Sequence, residues 1–136
     1  MSATIHTVAA VIRDAGGRVL LVRKRGTPTF IQPGGKREPG EHALATLARE
    51  LDEEIGVRLR PGATRLGEFE DVAVNEPGRR VRAEVFLVEV EGEPIARAEI
   101  EALAWVDPAR PGDRVIAPLS RGQILPAVAA LAAPPR

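Results

Sequence analysis

The sequence contains no cysteine and no tyrosine, and it has one tryptophan and three phenylalanines among 136 residues. A chain without cysteine can form neither a disulfide framework nor a thiolate metal site, and it is compatible with a reducing compartment. The first residues lack a basic segment followed by a long apolar run, and no later stretch approaches the length of a membrane span. We therefore expect a cytoplasmic protein.

The chain also has no excess of positive or negative charge. The 19 basic side chains balance the 19 acidic ones, so the chain has no broad field that would hold nucleic acid or a membrane surface. We expect no stable nucleic-acid binding and no membrane binding, and any function that depends on charge must be local. The length suits one hydrophobic core, so residues 1–136 are predicted to form a single domain.

Hydrophobic patterning predicts two strand pairs and a later strand. Residues 6–14 and 18–24 are apolar, β-branched runs joined by a glycine-containing turn, and this pattern predicts that the two strands pair. Residues 66–74 and 81–90 flank a second turn and predict another hairpin. A short strand within residues 103–108 is stopped by proline.

Two helices are predicted as well. Apolar residues at helical spacing between positions 44 and 55 predict the first, and Gly56 stands where a glycine ends many helices. Residues 119–136 have helical composition, with Pro126 either in the first turn or at a kink. This order of elements predicts an α/β (α+β) fold, a mixed β-sheet sandwiched between helices, and it leaves the topology open.

The first helix carries clustered acids in the stretch RELDEEIGV, residues 49–57. At about 100° per residue, Glu50, Glu53 and Glu54 share one arc of the helix beside its apolar arc. Asp52 points away from this arc, and we expect its side chain to be exposed to solvent. An arc of helix glutamates is commonly a solvated surface too, so the spacing alone does not establish a binding site.

Two observations favour a metal site over a solvated surface. Arg49 is the one basic residue within this helix, so the acids lack the compensating charge that usually accompanies them. The loop before the helix, with its PGG and PGE stretches, supplies Glu41 and free backbone carbonyl groups. Carboxylates and carbonyls are the ligands that Mg²⁺ prefers in proteins.

These residues also stand in a fixed register. Gly35, five residues, Glu41, seven residues and then RELDEEIGV resemble the Nudix box, G-x5-E-x7-R-E-U-x-E-E-x-G-U, in which U is apolar. All nine specified positions match, namely Gly35, Glu41, Arg49, Glu50, Leu51, Glu53, Glu54, Gly56 and Val57. The chain is therefore similar to the Nudix hydrolases, and the resemblance implies the Nudix fold.

The Nudix resemblance implies a reaction and a cofactor. Members of the family cleave a nucleoside diphosphate linked to another group, by attack of water on phosphorus, and they bind a divalent metal. Mg²⁺ is expected here, with Mn²⁺ as a substitute. By family likeness Glu50, Glu53 and Glu54 would hold the metal together with the Gly35 carbonyl, and Glu50 and Glu53 would also position or deprotonate the water.

The resemblance implies supporting roles for other acids and for Arg49. Arg49 and Glu41 would orient the metal-binding carboxylates. The general base would be a glutamate of the box or an acid in the segment before the tryptophan-containing strand. Glu99 is preferred to Glu101 for that role, and plain surface is the alternative for Glu99.

Two arginines and one aromatic residue are candidates for substrate contact. Arg23 and Arg25 follow a predicted strand and could clamp phosphates, with a solvent-facing side chain as the alternative for one of them. Phe30 precedes the glycine-rich loop, and we interpret it as a core residue in preference to a surface on which the base stacks.

The box does not name the substrate. Family members that act on dinucleoside polyphosphates use a tyrosine, which this chain lacks, and neither Pro61 nor Pro77 stands at the spacing expected of ADP-ribose hydrolases. A coenzyme A signature is not recognisable. Elimination favours a MutT-type pyrophosphohydrolase of nucleoside triphosphates. The alternatives are an ADP-ribose or nucleotide-sugar diphosphatase, a non-catalytic nucleotide sensor, and an unrelated structural metal domain. A homodimer is also open, since dimers are frequent among Nudix proteins.

Overall fold

A computed structural model describes residues 4–131 of the chain. In chain order the elements are β1 (Thr4–Ile12), β2 (Val19–Lys24), β3 (Phe30–Ile31), β4 (Gly34–Lys36), α1 (Ala43–Ile55), β5 (Arg58–Leu59), β6 (Thr64–Val72), β7 (Arg80–Val88), β8 (Val90–Glu91), β9 (Ile100–Val106), a π-helical turn (Ser120–Ile124) and α2 (Leu125–Ala129). Within the described residues, no helix combines the length and the apolar composition needed to cross a bilayer.

The larger sheet is mixed. Its four strands lie in the order β4-β1-β7-β6, with β1 parallel to β7 and the other two pairs antiparallel. β1 and β7 stay in register from Thr4 opposite Arg80 to Ile12 opposite Val88. The other described strands form a three-stranded sheet in the order β3-β2-β9 and a two-stranded sheet of β5 and β8.

The predicted pairing of the first two strands is wrong. β1 has β4 along one edge and β7 along the other, so neither edge is free for β2. β2 pairs instead with β3 and β9, and an isolated bridge between Arg13 and Val19 joins its start to the end of β1. The intervening turn therefore carries the chain from one sheet to the other.

The second predicted hairpin is confirmed. β6 and β7 pair in antiparallel fashion from Thr64 opposite Leu87 to Val72 opposite Arg80. The later strand, β9, is also present, and it begins at Ile100, earlier than the sequence pattern predicts. Residues around position 100 thus belong to an ordered strand that pairs with β2.

Side chains of the central strands alternate between two helical layers. Val8 and Ala10 of β1 belong to a buried cluster that includes the apolar face of α1. Ala9 and Val11 point the other way, into a cluster that includes Leu125 and its neighbours in the C-terminal helical segment. Because successive strand residues face opposite sides of a sheet, one strand serves both layers. The predicted α/β (α+β) fold, with a mixed sheet between helices, is confirmed.

The two ends of α1 are fixed by local contacts. His42 precedes the helix, and its Nδ1 accepts a hydrogen bond of 3.3 Å from the Ala45 amide. At the other end Gly56 adopts a φ of 68°, and its N–H donates to the Asp52 carbonyl at 3.1 Å. Gly56 is therefore the C-terminal cap that the sequence predicts.

The C-terminal helical segment begins with the π-helical turn and continues directly into α2. Pro126 is the second residue of α2, which directly follows the π-helical turn, so it lies within a continuous helical segment, in which its missing N–H leaves one helical hydrogen bond unmade. The part of the predicted helix beyond residue 131 lies outside the described residues.

Replacing Gly56 tests the cap. Gly56→Ala is expected to lower the free energy of unfolding by about 1–2 kcal/mol, because a Cβ is unfavourable in the left-handed conformation. Urea unfolding at equilibrium measures the change. Gly122→Ala is the matched control, since Gly122 lies in the helical turn with open space around it, and that change is expected to be neutral or stabilising by up to about 1 kcal/mol. Equal losses in the two variants would contradict the role of Gly56.

Candidate active site

A strap formed by residues 30–36 brings polypeptide backbone against α1. The Pro33 carbonyl accepts a hydrogen bond of 2.9 Å from the Ala10 amide, and β4 pairs with β1 so that Gly35 lies opposite Val8. The position of the strap is therefore fixed by β1.

Two glutamates of α1 meet the strap. The Gly34 N–H donates to Glu54 Oε1 at 3.1 Å. At the next residue, a Cβ on Gly35 would lie 2.5 Å from Glu50 Cδ, so glycine is required for the Glu50 carboxylate to fit. Residues four apart lie on the same side of a helix, which is why both carboxylates reach the strap.

Arg49 joins the parts of the site. Its Nε and Nη2 donate to the two carboxylate oxygens of Glu41 at 2.8 and 2.9 Å, a bidentate contact. Its Nη1 donates to Glu50 Oε1 at 2.8 Å, and Nη2 also donates to the Lys36 carbonyl at 3.2 Å. One guanidinium therefore holds the loop before α1, the strap and one carboxylate that faces the strap.

The three acids differ in their electrostatic surroundings. The hydrogen bonds from Arg49 lower the pKa of Glu41 to about 2. Burial raises the pKa of Glu50, against the opposing effect of Arg49. Burial also raises the pKa of Glu54 to about 8, although the hydrogen bond from Gly34 acts in the opposite direction. Glu54 is 3 % exposed, so it is the acid for which a compensating positive charge matters most.

Lys24 supplies part of that positive charge. Its charge acts to lower the pKa of both Glu50 and Glu54, and its Nζ lies 3.5 Å from Glu99 Oε1. Lys24 follows Val22 by two residues on β2, and Val22 packs in the same cluster as α1. The period of a strand therefore directs Lys24 to the side of the sheet on which the carboxylates lie.

The arginines on either side of Lys24 make other contacts. Arg23 donates to Glu101 Oε1 at 2.8 Å, and its guanidinium carbon lies 5.9 Å from the centre of the Phe30 ring. Phe30 is partly buried against the cluster that contains α2, as expected for a core residue. Arg25 donates to the Ala98 carbonyl at 3.4 Å.

A cavity of about 370 Å³ opens beside the strap. Its volume falls within the range of about 300–1,000 Å³ that is usual for small-molecule sites. Charged groups and backbone of the site line part of it, namely Lys24, Gly35, Lys36, Glu50 and Glu99. Much of the remaining wall is apolar and includes Ile5, Ala9, Val72, Val81, Ala83 and Leu119. The carboxylates thus adjoin a cleft with an apolar wall.

Comparison with known families identifies this arrangement. The chain matches the family model described as the NUDIX domain over residues 4–127. The chain belongs to the Nudix family. This protein is a hydrolase that acts on diphosphate bonds, as the resemblance of residues 35–57 to the Nudix box implies.

Two proteins related to this chain carry the name of an activity. "Putative 8-oxo-dGTP diphosphatase 2" of Mycobacterium tuberculosis is 35 % identical over 125 residues, which cover 88 % of this chain and 84 % of that protein. The 8-oxo-dGTP diphosphatase of Haemophilus influenzae is 32 % identical over 108 residues, which cover 76 % of each chain.

Two solved structures resemble the fold described here. The MutT protein from Methanosarcina mazei Go1 superposes with a TM-score of 0.77 at 27 % identity, covering 93 % of this chain and 94 % of that one. The E. coli ORF135 protein superposes with a TM-score of 0.73 at 29 % identity, covering 93 % of this chain and 89 % of that one.

The residues of the Nudix box occupy different surroundings. Glu50, Glu54 and Gly35 lie together, whereas the side chain of Glu53 is 57 % exposed, with its Oε1 3.9 Å from Arg49 Nη1. Among residues 4–131, no three acidic or histidine side chains form a ready metal-binding group. Asp52 is exposed, as predicted.

Outside the Nudix box, some of the predicted site residues line the cavity and others do not. Glu99 lines the cavity, whereas Glu101, Arg23 and Arg25 are not among the residues that line it. Lys24 does line it, and sequence reasoning missed this residue because it favoured arginine for binding phosphate. The two-residue period of β2 was the signal that could have identified Lys24, because Lys24 has the same parity as Leu20 and Val22, which pack in the cluster with α1.

Nudix hydrolases use a divalent metal, and the oxygen atoms near the strap fit one. The carboxylates of Glu50 and Glu54 and the carbonyl of Gly35 are hard donors of the kind that Mg²⁺ and similar cations bind. A cation beside Glu54 would also stabilise the charged form of a carboxylate that burial otherwise disfavours. Glu53 would have to turn inward from its exposed position to join these ligands.

The buried Glu54 predicts a pH-dependent stability of the metal-free Nudix protein. The pKa of Glu54 is about 8 in the folded state and near 4.5 in the unfolded chain. As the pH rises, the unfolded chain therefore loses this proton at a lower pH than the folded protein does. Stability is therefore highest below pH 4.5 as far as Glu54 is concerned, and it falls as the pH rises toward 8. At about 1.4 kcal/mol per pKa unit, the loss amounts to a few kcal/mol.

Urea unfolding in the presence of a chelator, at several pH values between 5 and 9, measures this effect. Glu54→Gln cannot ionise, so its stability relative to the unsubstituted protein is expected to increase with pH. The exposed change Asp52→Asn is the matched control and is expected to follow the unsubstituted protein. Parallel curves for Glu54→Gln and the unsubstituted protein would contradict the assignment.

Proposed function

We propose that this Nudix hydrolase is a Mg²⁺-dependent pyrophosphohydrolase of nucleoside triphosphates. It would convert a nucleoside triphosphate and water into a nucleoside monophosphate and pyrophosphate. The names of the relatives from M. tuberculosis and H. influenzae make 8-oxo-dGTP the first substrate to test. The observation that carries the proposal is the contact of the Glu50 and Glu54 carboxylates with a glycine strap beside a cleft that has an apolar wall.

Charge explains why a cation would be needed. Lys24 contacts Glu99, and its charge acts on Glu50 and Glu54. Arg49 donates a hydrogen bond to Glu50, so three acids face two basic groups at this point of the cleft. A triphosphate carries several negative charges and would be repelled by these carboxylates. A divalent cation bound there would offset the repulsion, neutralise charge that develops on the phosphoryl oxygens and lower the pKa of a bound water.

The protein groups around the cation would have separate roles. Glu50 and Glu54, with the Gly35 carbonyl, would hold the cation, and Glu53 would complete the ligands after its side chain turns inward. Arg49 would keep Glu50 in place through their hydrogen bond of 2.8 Å.

Two carboxylates are suited to accept the proton of the attacking water. Glu50 adjoins the strap, and Glu99 lines the same cavity from the segment before β9. Either group can act as a general base only while it is ionised.

A substrate panel tests the proposed function. Release of pyrophosphate or phosphate would be measured with Mg²⁺ from nucleoside triphosphates, 8-oxo-dGTP, ADP-ribose, nucleotide sugars and dinucleoside polyphosphates. We expect nucleoside triphosphates to be turned over fastest, with pyrophosphate and a nucleoside monophosphate as products. Faster turnover of ADP-ribose or a nucleotide sugar would overturn the substrate assignment and leave the hydrolase class intact.

Substitutions of the acids test the site itself. Glu50→Gln and Glu54→Gln are each expected to lower kcat by at least about a hundredfold, since each removes a negative charge that would hold the cation. Asp52→Asn, on the exposed side of the same helix, is the control and is expected to be nearly silent. Equal losses in the three variants would contradict the assignment of the two faces. Glu99→Gln extends the series, and an unchanged rate at every pH would remove Glu99 from the mechanism.

Three neighbouring basic residues can be compared for phosphate binding. Lys24→Met is expected to lower kcat/KM by about tenfold to a hundredfold, because Lys24 lines the cavity among the carboxylates. Arg23→Met and Arg25→Met, which remove the originally predicted phosphate ligands, are expected to have smaller effects. A large loss for either arginine variant, with none for Lys24→Met, would instead support the arginines as the phosphate ligands.

A further inference from the structure

Within residues 4–131, one buried side-chain polar atom has no hydrogen-bond partner, the Oε1 of Gln32. Gln32 is 7 % exposed, and it lines the cavity beside the strap. Buried acceptors in native proteins are nearly always paired, because an unpaired one has lost its water without gaining a replacement. The unpaired oxygen of Gln32 therefore calls for a donor from outside the protein.

The hydrogen bond made by the amide nitrogen of Gln32 shows that the oxygen is the atom without a partner. Gln32 Nε2 donates to the Ala10 carbonyl at 3.0 Å. The Ala10 amide in turn donates to the Pro33 carbonyl at 2.9 Å, so Ala10 holds this part of the strap through both of its backbone polar groups. One N–H of the Gln32 amide is thereby engaged, and Oε1 is the acceptor that has no hydrogen-bond partner among the described residues.

No group among residues 4–131 donates to this oxygen, although Thr7, Asn75 and Ser120, which line the same cavity, carry donors. Ala9 and Ala83, which line the same cavity, have apolar side chains. Lys24 and Lys36 also line the cavity, but they face Glu99 and Glu76 at 3.5 and 3.4 Å respectively. A ligand in the cleft is therefore the natural source of the missing N–H group.

We propose that Gln32 is a specificity-determining residue that accepts a hydrogen bond from an N–H of the nucleotide base. The proposal rests on the proposed function, since it assumes that a nucleotide occupies the cleft. Guanine carries N–H groups at N1 and N2, whereas its N7 is an acceptor. Oxidation at C8 converts N7 into a further N–H donor. A purine without exocyclic groups has acceptor nitrogens at N1, N3 and N7, so its base edge has no N–H to offer.

Substrates with and without base N–H groups test the proposal. The kcat/KM values of dGTP, 8-oxo-dGTP and the triphosphate of unsubstituted purine 2′-deoxyriboside would be measured for the unsubstituted protein and for Gln32→Met. We expect the unsubstituted protein to prefer a donor-bearing base over plain purine by about tenfold or more. Gln32→Met should remove most of that preference, so the measured quantity is the ratio of the kcat/KM values for the donor-bearing base and the plain purine.

The two guanine substrates report which edge of the base meets Gln32. A loss confined to 8-oxo-dGTP would assign the contact to the N–H at N7, and a loss on both substrates would assign it to N1 or N2. Both results support the proposal. Gln123→Met is the matched control, because Gln123 also donates through Nε2, to the Glu70 carbonyl at 2.7 Å, and is not among the residues that line the cavity. It should leave the base preference unchanged.

Two results would overturn the proposal. Equal losses on all three substrates in Gln32→Met would assign Gln32 a structural role through its bond to Ala10. A protein without preference between dGTP and the plain purine triphosphate would exclude base recognition by this oxygen, and that comparison needs no variant to fold.

Binding separates this proposal from the proposed function. Calorimetric titration with dGMP, 8-oxo-dGMP and the monophosphate of purine 2′-deoxyriboside requires no turnover. Selective binding of a guanine monophosphate, abolished in Gln32→Met, would support the role of Gln32 even if no triphosphate were hydrolysed. Hydrolysis without any base preference in rates or in binding would leave the proposed function standing and exclude Gln32 from recognition.

Discussion

The bidentate ion pair between Arg49 and Glu41 is the contact on which the geometry of the site depends. Glu41 lies in the loop before α1, and Arg49 lies on the helix, so the pair folds the loop back onto the helix surface. The same guanidinium then binds Glu50 and the Lys36 carbonyl. Because a guanidinium is planar and rigid, fixing one edge of it on Glu41 also fixes where its remaining N–H groups can hold Glu50.

The crowding of acids on α1 follows from the same geometry. Glu54 is buried against the Gly34 amide in a position where its pKa is raised to about 8, so its ionised form is unfavourable in the protein alone. Lys24 offsets part of this effect, while Glu50 adds to it. The site is therefore short of positive charge, and the metal that Nudix hydrolases use has the sign and the hardness required by these oxygen donors.

The fold and part of the site could be predicted from the sequence, and there are physical reasons why the remainder could not. The period of α1 and its cap at Gly56 depend on spacing within one element, so they could be predicted. The partners of β1 depend on which distant strands compete for its edges, and local turn chemistry does not reveal that β4 and β7 take both. Gln32 could not be selected either, because an unpaired buried oxygen is a property of its surroundings.

The strap links binding to chemistry through its covalent structure. Gln32 and Gly34 are separated by one residue, Pro33, whose ring restricts the backbone and whose carbonyl is bonded to Ala10. Gln32 borders the cleft on one side of that anchor, and on the other side Gly34 and Gly35 contact the carboxylates of α1. A ligand group held by Gln32 would therefore contact the same short backbone segment that contacts the carboxylates. Small changes of side chain within this segment would then alter substrate choice without altering the acids that act on the phosphates.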